Sequence, residues 1–377
     1  MNVGILLPGF SSDETDAAIP VQLDLVRTLA LTDHVRVLAL RYPYRRDRYP
    51  VAGADVIALG GRLHGGVRRL ALWIGALWTL RRLHAERPFD VLHAMWADET
   101  GLVAAWAGKL LGVPVVVSVL GGELVRLDDI AYGLQRHVFS RWTVRRALLA
   151  ADAVLLTGDY ARPLVTSAGI TLPPERIHIA PLGVDSARFS PGNEPRSNTR
   201  LLHVGSLIPV KDQATLLRAV ARLDTAITLG IAGEGPERAR LEALAASLGI
   251  ACRVRFLGSV PYTDMPALYQ QAALLVMTSR SESLPMTVLE AAACGLPTVE
   301  TDVGALAGTP VVAEAVPVGD DVALAAAIHR LLADENARQR AGQAARAAVA
   351  AGFTIEHAAA RFRAIYAHLI ALETHSA

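Results

Sequence analysis

The stretch Leu274-Leu-Val-Met277-Thr-Ser-Arg-Ser-Glu282-Ser-Leu-Pro285-Met-Thr-Val-Leu-Glu290-Ala-Ala-Ala-Cys-Gly295-Leu-Pro297-Thr-Val-Glu-Thr-Asp-Val-Gly304 decides how the chain is read. The four apolar residues 274–277 have the length and composition of a buried strand. A polar turn follows, and Pro285 stands where a helix starts, a position whose N–H has no helical partner to lose. Residues 286–294 predict that helix, ended by Gly295 and Pro297. A second buried strand begins near Thr298. Two carboxylates, Glu282 and Glu290, flank the helix start with seven residues between them. The first amides of such a helix are unpaired and lie at the positive end of its dipole, which suits a phosphate. A carboxylate one turn further in can accept hydrogen bonds from a pair of sugar hydroxyls.

Around this unit the composition sets bounds. A chain of 377 residues with 52% hydrophobic content has room for two ordinary domains and a sizeable core. Its 37 basic and 36 acidic residues nearly cancel, so no nucleic-acid partner is implied. Cys252 and Cys294 form neither a disulfide framework nor a metal-ligand pattern, which fits a reducing compartment. Residues 1–5 run straight into a strand-like segment with no basic leader region, and no apolar run reaches the roughly 18 residues of a membrane span. A cytoplasmic protein is expected. Only Lys109 and Lys211 are lysines, the other basic residues being arginine.

Strand and helix patterns alternate along the whole chain, which predicts two parallel α/β domains. The first strand, 3–7, ends at Pro8-Gly9, and the loop 11–16 leads into a helix over 19–31. A loop in that place sits at the carboxyl edge of a parallel sheet, where ligands bind, although a plain surface loop fits equally well. Strands follow at 35–40 and 54–59, separated by a segment with four arginines and three tyrosines over 41–49, read mainly as a solvated loop. The helix 67–84 carries Arg68, Arg69, Arg81 and Arg82 around an apolar middle with Trp73 and Trp78. Its pattern suits a packed domain helix and also a helix lying at a membrane interface. Strands at 90–94 and 113–119 bracket a helix over 99–111; the second strand runs into Leu120-Gly121-Gly122-Glu123. A basic helix over 134–150, strands at 153–156 and 177–180, and a Pro-rich linker over 190–198 complete the first half. The second half opens with a strand at 200–205 and continues through Ser206 and Lys211, a Gly233-Glu-Gly235-Pro turn, and helices at 321–333 and 335–350 before a last helix to about 372.

The pattern Glu-x-x-Pro-x-x-x-x-Glu-Ala-x-Ala-x-Gly-x-Pro over 282–297 resembles the E-x7-E signature of the retaining glycosyltransferases of the GT-B fold, in particular family 4. The segment Val204-Gly-Ser206-Leu-Ile-Pro-Val-Lys211 resembles that family's donor-diphosphate segment, with Ser206 in place of the usual arginine. Asp90-Val-Leu-His93 and Gly121-Gly-Glu123 resemble its acceptor-domain core, with Leu120 where the family often carries histidine. Pro181-Leu-Gly-Val-Asp185 resembles its interdomain crossing. The resemblance implies two Rossmann-like domains facing across a cleft, the first over 1–187 and the nucleotide-sugar domain over 188–352, with a terminal helix over 353–377 crossing back onto the first.

It also implies a chemistry. A sugar moves from a nucleotide diphosphate sugar, UDP or GDP type, to a glycan, lipid-linked or small-molecule acceptor, with retention at the anomeric carbon and without metal or cofactor. Lys211 and the amides of Leu284, Met286 and Thr287 would stabilise the departing diphosphate, with Ser206 adding one hydrogen bond. Glu290 would hold the ribose, Glu282 the donor sugar, and Gly235 would line the nucleotide side. Lys211, Glu282 and His93 are the catalytic candidates, His93 being equally readable as a hydrogen-bonded residue at the core edge. Gly9, Gly121 and Glu123 are the acceptor-side candidates, and 67–84 is the candidate for peripheral membrane contact. Leu120 and Ser206 keep open a donor-binding protein without turnover, and the architecture also suits a sugar-nucleotide epimerase. A NAD enzyme is disfavoured, because no G-x-G-x-x-G opens the first strand–helix turn.

Overall fold

Two separate sheets organise the computed structural model, which describes residues 1–16, 18–62 and 66–376. The first unit comprises Met1–Leu182 and Ile355–Ala377, the second Gly183–Thr354. In the first unit the chain runs β1 (Asn2–Gly9), α1 (Pro20–Ala30), β2 (His34–Tyr42), β3 (Arg46–Val51), β4 (Ala54–Leu59), α2 (Val67–Glu86), β5 (Val91–Met95), α3 (Glu99–Leu111), β6 (Val115–Val119), α4 (Val138–Ala150), β7 (Ala153–Leu156), α5 (Arg162–Ser167) and β8 (Ile177–Ile179). The second holds β9 (Arg200–Val204), α6 (Gln213–Ala221), β10 (Thr228–Ala232), α7 (Arg238–Ser247), β11 (Val254–Gly258), α8 (Met265–Gln271), β12 (Leu274–Met277), α9 (Met286–Ala293), β13 (Thr298–Thr301), β14 (Glu314–Val316), α10 (Asp321–Ala333) and α11 (Glu335–Gly352). The final helix, α12 (Ile355–Ser376), belongs to the first unit.

Strand order in the first sheet is β3-β4-β2-β1-β5-β6-β7-β8, and in the second β11-β10-β9-β12-β13-β14. Each sheet therefore starts in the middle, grows to one side, and then reverses to the other. All pairings are parallel except β3 with β4. Helices cover both faces, so the inner strands are apolar throughout: every residue of β5, β6, β7 and β12 is buried. Helix ends follow local chemistry. Asp98, Asp212, Asp320 and Asp334 cap α3, α6, α10 and α11 by accepting first-turn amides, and α3 stops at Gly112, whose φ of 64° favours glycine.

Three local expectations change. Residues 41–49 are not a loop: β2 reaches Tyr42 and β3 begins at Arg46, pairing antiparallel with β4 at the sheet edge. An edge strand is polar because one side faces water; Arg48 uses its side chain on Asp55 and Glu86. The basic helix begins four residues late, because His137 is extended (φ −110°, ψ 128°) between a short turn at Leu134–Arg136 and α4. The short α5 was not foreseen. Helix α2 buries Trp73, Ala76, Leu80 and Leu83, a three-to-four spacing that packs one face on the core. Among the described residues, no helix is long and apolar enough to cross a membrane.

Candidate active site

In the second sheet the chain leaves β9 for one side and returns to β12 for the other. The loops from the carboxyl ends of β9 and β12 diverge, and the crevice between them is where open α/β sheets bind ligands. Lys211 comes from the first loop and Glu282 from the second. They meet: Lys211 Nζ donates to Glu282 Oε1 at 2.5 Å, with the side chains 20% and 13% exposed. Ser279 Oγ donates to the same carboxylate oxygen at 2.5 Å. Thr278 Oγ1 donates to the Lys211 carbonyl at 2.9 Å and the Arg280 N–H to the Val210 carbonyl at 2.7 Å, stitching the two loops together.

The sequence around Lys211 explains its placement. A short turn at Pro209–Lys211 ends in Asp212, whose backbone takes φ +43° while its carboxylate accepts the Thr215 hydroxyl at 2.6 Å. Ser206 is held through its carbonyl, which accepts from Gln213 Nε2 at 3.0 Å. Gln213 also bonds His203 Nε2 at 3.2 Å, and His203 Nδ1 donates to the Val276 carbonyl at 2.9 Å. Burial pushes the His203 imidazole down to about 4, so it is neutral and accepts from Gln213. Gly235 serves this loop as well. A Cβ there would lie 2.3 Å from the Leu207 carbonyl oxygen, so only glycine lets the 233–236 turn pack on 205–207.

On the other side of the crevice α9 begins. Val288 and Leu289 donate to the Pro285 carbonyl, so the amides of Met286 and Thr287 precede the first helical bonds. Leu284 is buried just before them, and the Thr287 hydroxyl contacts Met277 Sδ at 3.9 Å. Glu290, one turn in, is 8% exposed, and its Oε2 accepts from the Tyr269 hydroxyl at 2.7 Å. Tyr269 is wholly buried, and burial, then the Glu290 charge, keeps its phenol protonated.

Two features of this crevice were not singled out from the sequence. Gly304, at φ +83°, packs so tightly that a Cβ would stand 3.0 Å from that of Glu282. The loop after β13 thus braces the Glu282 loop, helped by Thr301 Oγ1 donating to the Ser279 carbonyl at 2.5 Å. Glu300, on β13, is 2% exposed, and its Oε1 has no hydrogen-bond partner. Burial, then repulsion by Glu282 and Asp302, pushes its carboxyl up to about 8. The available signal was a glutamate inside a run otherwise read as a buried strand.

The first-unit candidates fare differently. His93 is the middle residue of β5, not its end, and is fully buried. Its Nδ1 pairs with the Tyr366 hydroxyl at 2.5 Å, its Nε2 with Ser118 Oγ at 2.8 Å, and Phe362 packs edge-on at 5.1 Å. Burial pushes it down to about 3. With both nitrogens engaged, His93 offers no atom to a donor sugar; it ties α12 to the sheet. Glu123 is also buried, accepting the N–H groups of Leu120 at 3.1 Å, Gly121 at 2.6 Å and Ala97 at 3.3 Å, and burial raises it to about 7. It fastens the loop after β6 to the loop after β5. Gly9 allows close approach, since a Cβ would lie 2.8 Å from that of Tyr42. Trp96, at the carboxyl end of β5 beside Gly121, takes a φ of +73°, which is costly for a bulky residue. Among the described residues, no group of three or more His, Cys, Asp or Glu side chains is placed to hold a metal ion.

Known proteins share this architecture. Sucrose-phosphate synthase from Thermosynechococcus elongatus superimposes with a TM-score of 0.81 over 99% of this chain and 100% of its own, at 21% identity. Anabaena HepE, solved in complex with UDP and glucose, gives 0.73 over 97% and 99%, at 19% identity. These likenesses fix the GT-B fold. The sequence goes further: residues 186–348 match the family pattern of glycosyl transferases group 1, and residues 18–183 that of the glycosyl transferase 4-like domain. D-inositol 3-phosphate glycosyltransferase 1 of Catenulispora acidiphila is 31% identical over 315 residues, 77% of this chain and 74% of the relative. The chain belongs to the glycosyl transferases group 1. Within this family a second relative, 2-deoxystreptamine glucosyltransferase of Streptomyces kanamyceticus, is 28% identical over 86% of this chain and 89% of its own length. As a group 1 glycosyltransferase, the chain carries its E-x7-E residues on the loop and helix that close the β9/β12 crevice.

Proposed function

We propose that this glycosyltransferase moves a sugar from a nucleotide diphosphate sugar to a glycan, lipid-linked or small-molecule acceptor, with retention at the anomeric carbon and without a metal ion. The observation that carries the reading is the Lys211–Glu282 pair at 2.5 Å, set at the switch point of the second sheet beside the amides that open α9. As the glycosidic bond breaks, the diphosphate gains negative charge and the sugar becomes cation-like. Lys211, the amides of Leu284, Met286 and Thr287, and the Ser206 hydroxyl are the groups proposed to take up that charge. Donor binding would divide the ion pair: the ammonium turns to phosphate and Glu282 accepts the sugar hydroxyls. Glu290, its carboxylate oriented by Tyr269, would hold the ribose. The acceptor oxygen attacks from the leaving-group face, and the departing phosphate takes its proton. The UDP in the HepE structure supports a UDP-type donor, with GDP as the alternative. The same reading makes the enzyme cytoplasmic, with 67–84 as a peripheral contact at the inner membrane face.

Two residues favour a second reading, a donor-binding protein without turnover. Leu120 stands at a position where histidine is expected and Ser206 where arginine is expected, and His93 does not compensate for the first. Donor hydrolysis and transfer by wild type, Lys211→Ala and Glu290→Ala decide between them. The transferase reading expects turnover in the wild type and its loss in both variants. Saturable donor binding with neither hydrolysis nor transfer to any acceptor extract establishes the binding protein instead.

A further inference from the structure

A cavity of about 430 Å³ opens at the amino edge of the second sheet, the edge opposite the Lys211–Glu282 crevice. Ala273, just before β12, and Pro297, just before β13, line it together with the 191–198 segment and α11. Every lining residue belongs to the second unit. The volume falls within the about 300–1,000 Å³ of small-molecule sites. Three arginines enter it: Arg338, 6% exposed, Arg196, half-buried, and Arg346, exposed at the mouth. Arg196 Nη1 donates to the carbonyls of Tyr269 and Gln270, and its Nη2 to that of Cys294. Arg338 Nη1 donates to the carbonyls of Leu331 at 3.3 Å and Leu332 at 3.2 Å, and its Nη2 to Asn198 Oδ1 at 2.6 Å. Each guanidinium thus spends three of its five N–H groups and keeps two.

The charge of these arginines is not balanced by the protein. Among the described residues no carboxylate pairs with Arg196, Arg338 or Arg346. The one acid in the lining, Glu335, accepts from Gln339 Nε2 at 3.0 Å instead. Burial pushes the Cys294 thiol up to about 12, so it adds no negative charge. Cys294, Leu331 and Leu332 lie at the carboxyl ends of α9 and α10, whose dipoles offset only about half a charge each. A positive cavity remains, and a buried cation without a counter-charge is costly. Because carbonyls already fix two of the guanidiniums, an anion meets them without ordering long side chains. A phosphate monoester, with a charge of about −1.5 to −2 and three acceptor oxygens, matches the unspent N–H groups. Gln343 at the rim can meet a hydroxylated body attached to that phosphate, and Pro191 and Pro297 offer it apolar contact.

We propose that this cavity is a second binding site, for a small phosphorylated metabolite, held by Arg196, Arg338 and Arg346 at the sheet edge away from the donor crevice. The proposal stands whether or not the crevice transfers a sugar. Calorimetric titration of the full chain with glucose 6-phosphate tests it, with glucose as the uncharged control. The wild type binds the phosphate ester saturably and gives no binding heat with glucose. Lys211→Ala, which weakens phosphate binding in the crevice, keeps the full affinity for glucose 6-phosphate. Arg346→Ala loses at least about tenfold, the worth of one hydrogen bond to a charged group. Arg346 is exposed and has no protein partner among the described residues, so this variant keeps the wild-type thermal midpoint and nucleoside diphosphate affinity. Arg196→Gln, checked for folding by the same two measurements, weakens the ester in the same way. Absence of saturable binding by the wild type overturns the proposal, as does equal binding of glucose. So does an affinity that falls in Lys211→Ala but not in Arg346→Ala, which returns the phosphate to the crevice.

Discussion

Replacing Glu300 by glutamine should remove a large alkaline loss of stability. Glu300 is 2% exposed with one oxygen unpartnered, and its carboxyl titrates near 8 instead of the ordinary 4.5. The folded protein therefore keeps a proton that the unfolded chain gives up above about pH 4.5. Its contribution to stability is complete below that pH, declines as pH rises, and is gone once pH passes 8. The interval 8 − 4.5 is about 3.5 units, which at 1.36 kcal/mol per unit makes a ceiling of about 5 kcal/mol. That is a large share of an ordinary domain's stability. Urea unfolding between pH 5 and pH 9 reads it. The five tryptophans, Trp73 to Trp142, all lie in the first unit, so fluorescence follows that unit while far-UV ellipticity contains both. Glu123, raised to about 7, belongs to the fluorescence change, and the Glu300 loss to the remaining ellipticity. Wild type should lose several kcal/mol relative to Glu300→Gln across this range. Parallel curves for the two proteins refute the reasoning.

Further outcomes follow from the crevice and from the buried histidine. Lys211→Ala should weaken nucleoside diphosphate binding by about 10- to 100-fold, the worth of a hydrogen bond to a charged group; calorimetry showing unchanged affinity would place the phosphates elsewhere. Gly304→Ala puts a Cβ 3.0 Å from that of Glu282 at φ +83°, costing about 1–2 kcal/mol of stability. It should also cut donor turnover at least about tenfold; normal turnover in the folded variant contradicts the bracing role of this loop. Tyr366→Phe leaves His93 Nδ1 unpaired in the core and should cost about 1–3 kcal/mol in the fluorescence-detected transition. Diphosphate affinity should not move, and a parallel drop in affinity would return His93 to the binding machinery.

What the sequence conveyed depended on whether a residue's role is local. The β12–α9–β13 unit announces itself through an apolar run, a proline, a glycine and two carboxylates, all set by neighbours in the chain. Lys211 was legible because it opens a helix after a strand, and the meeting with Glu282 follows from the strand order. His93 was misplaced because nothing local says that Tyr366, 273 residues away, occupies its Nδ1. Glu123 has the same difficulty: its partners are amides, which carry no sequence signature. Edge strand β3 hid behind its arginines and Pro50, since an edge strand needs neither an apolar run nor every backbone donor. Glu300 was in plain view, but its strained protonation depends on Glu282 and Asp302 folding beside it.

The central claim is retaining transfer from a nucleotide sugar at the Lys211–Glu282 crevice. Its most direct test is proton NMR of the sugar first released when wild type hydrolyses an α-linked nucleotide sugar, water standing in for the acceptor. The α anomer should appear before mutarotation sets in, and Lys211→Ala should release none at the same protein concentration. Initial release of the β anomer, or equal release by the variant, contradicts the account.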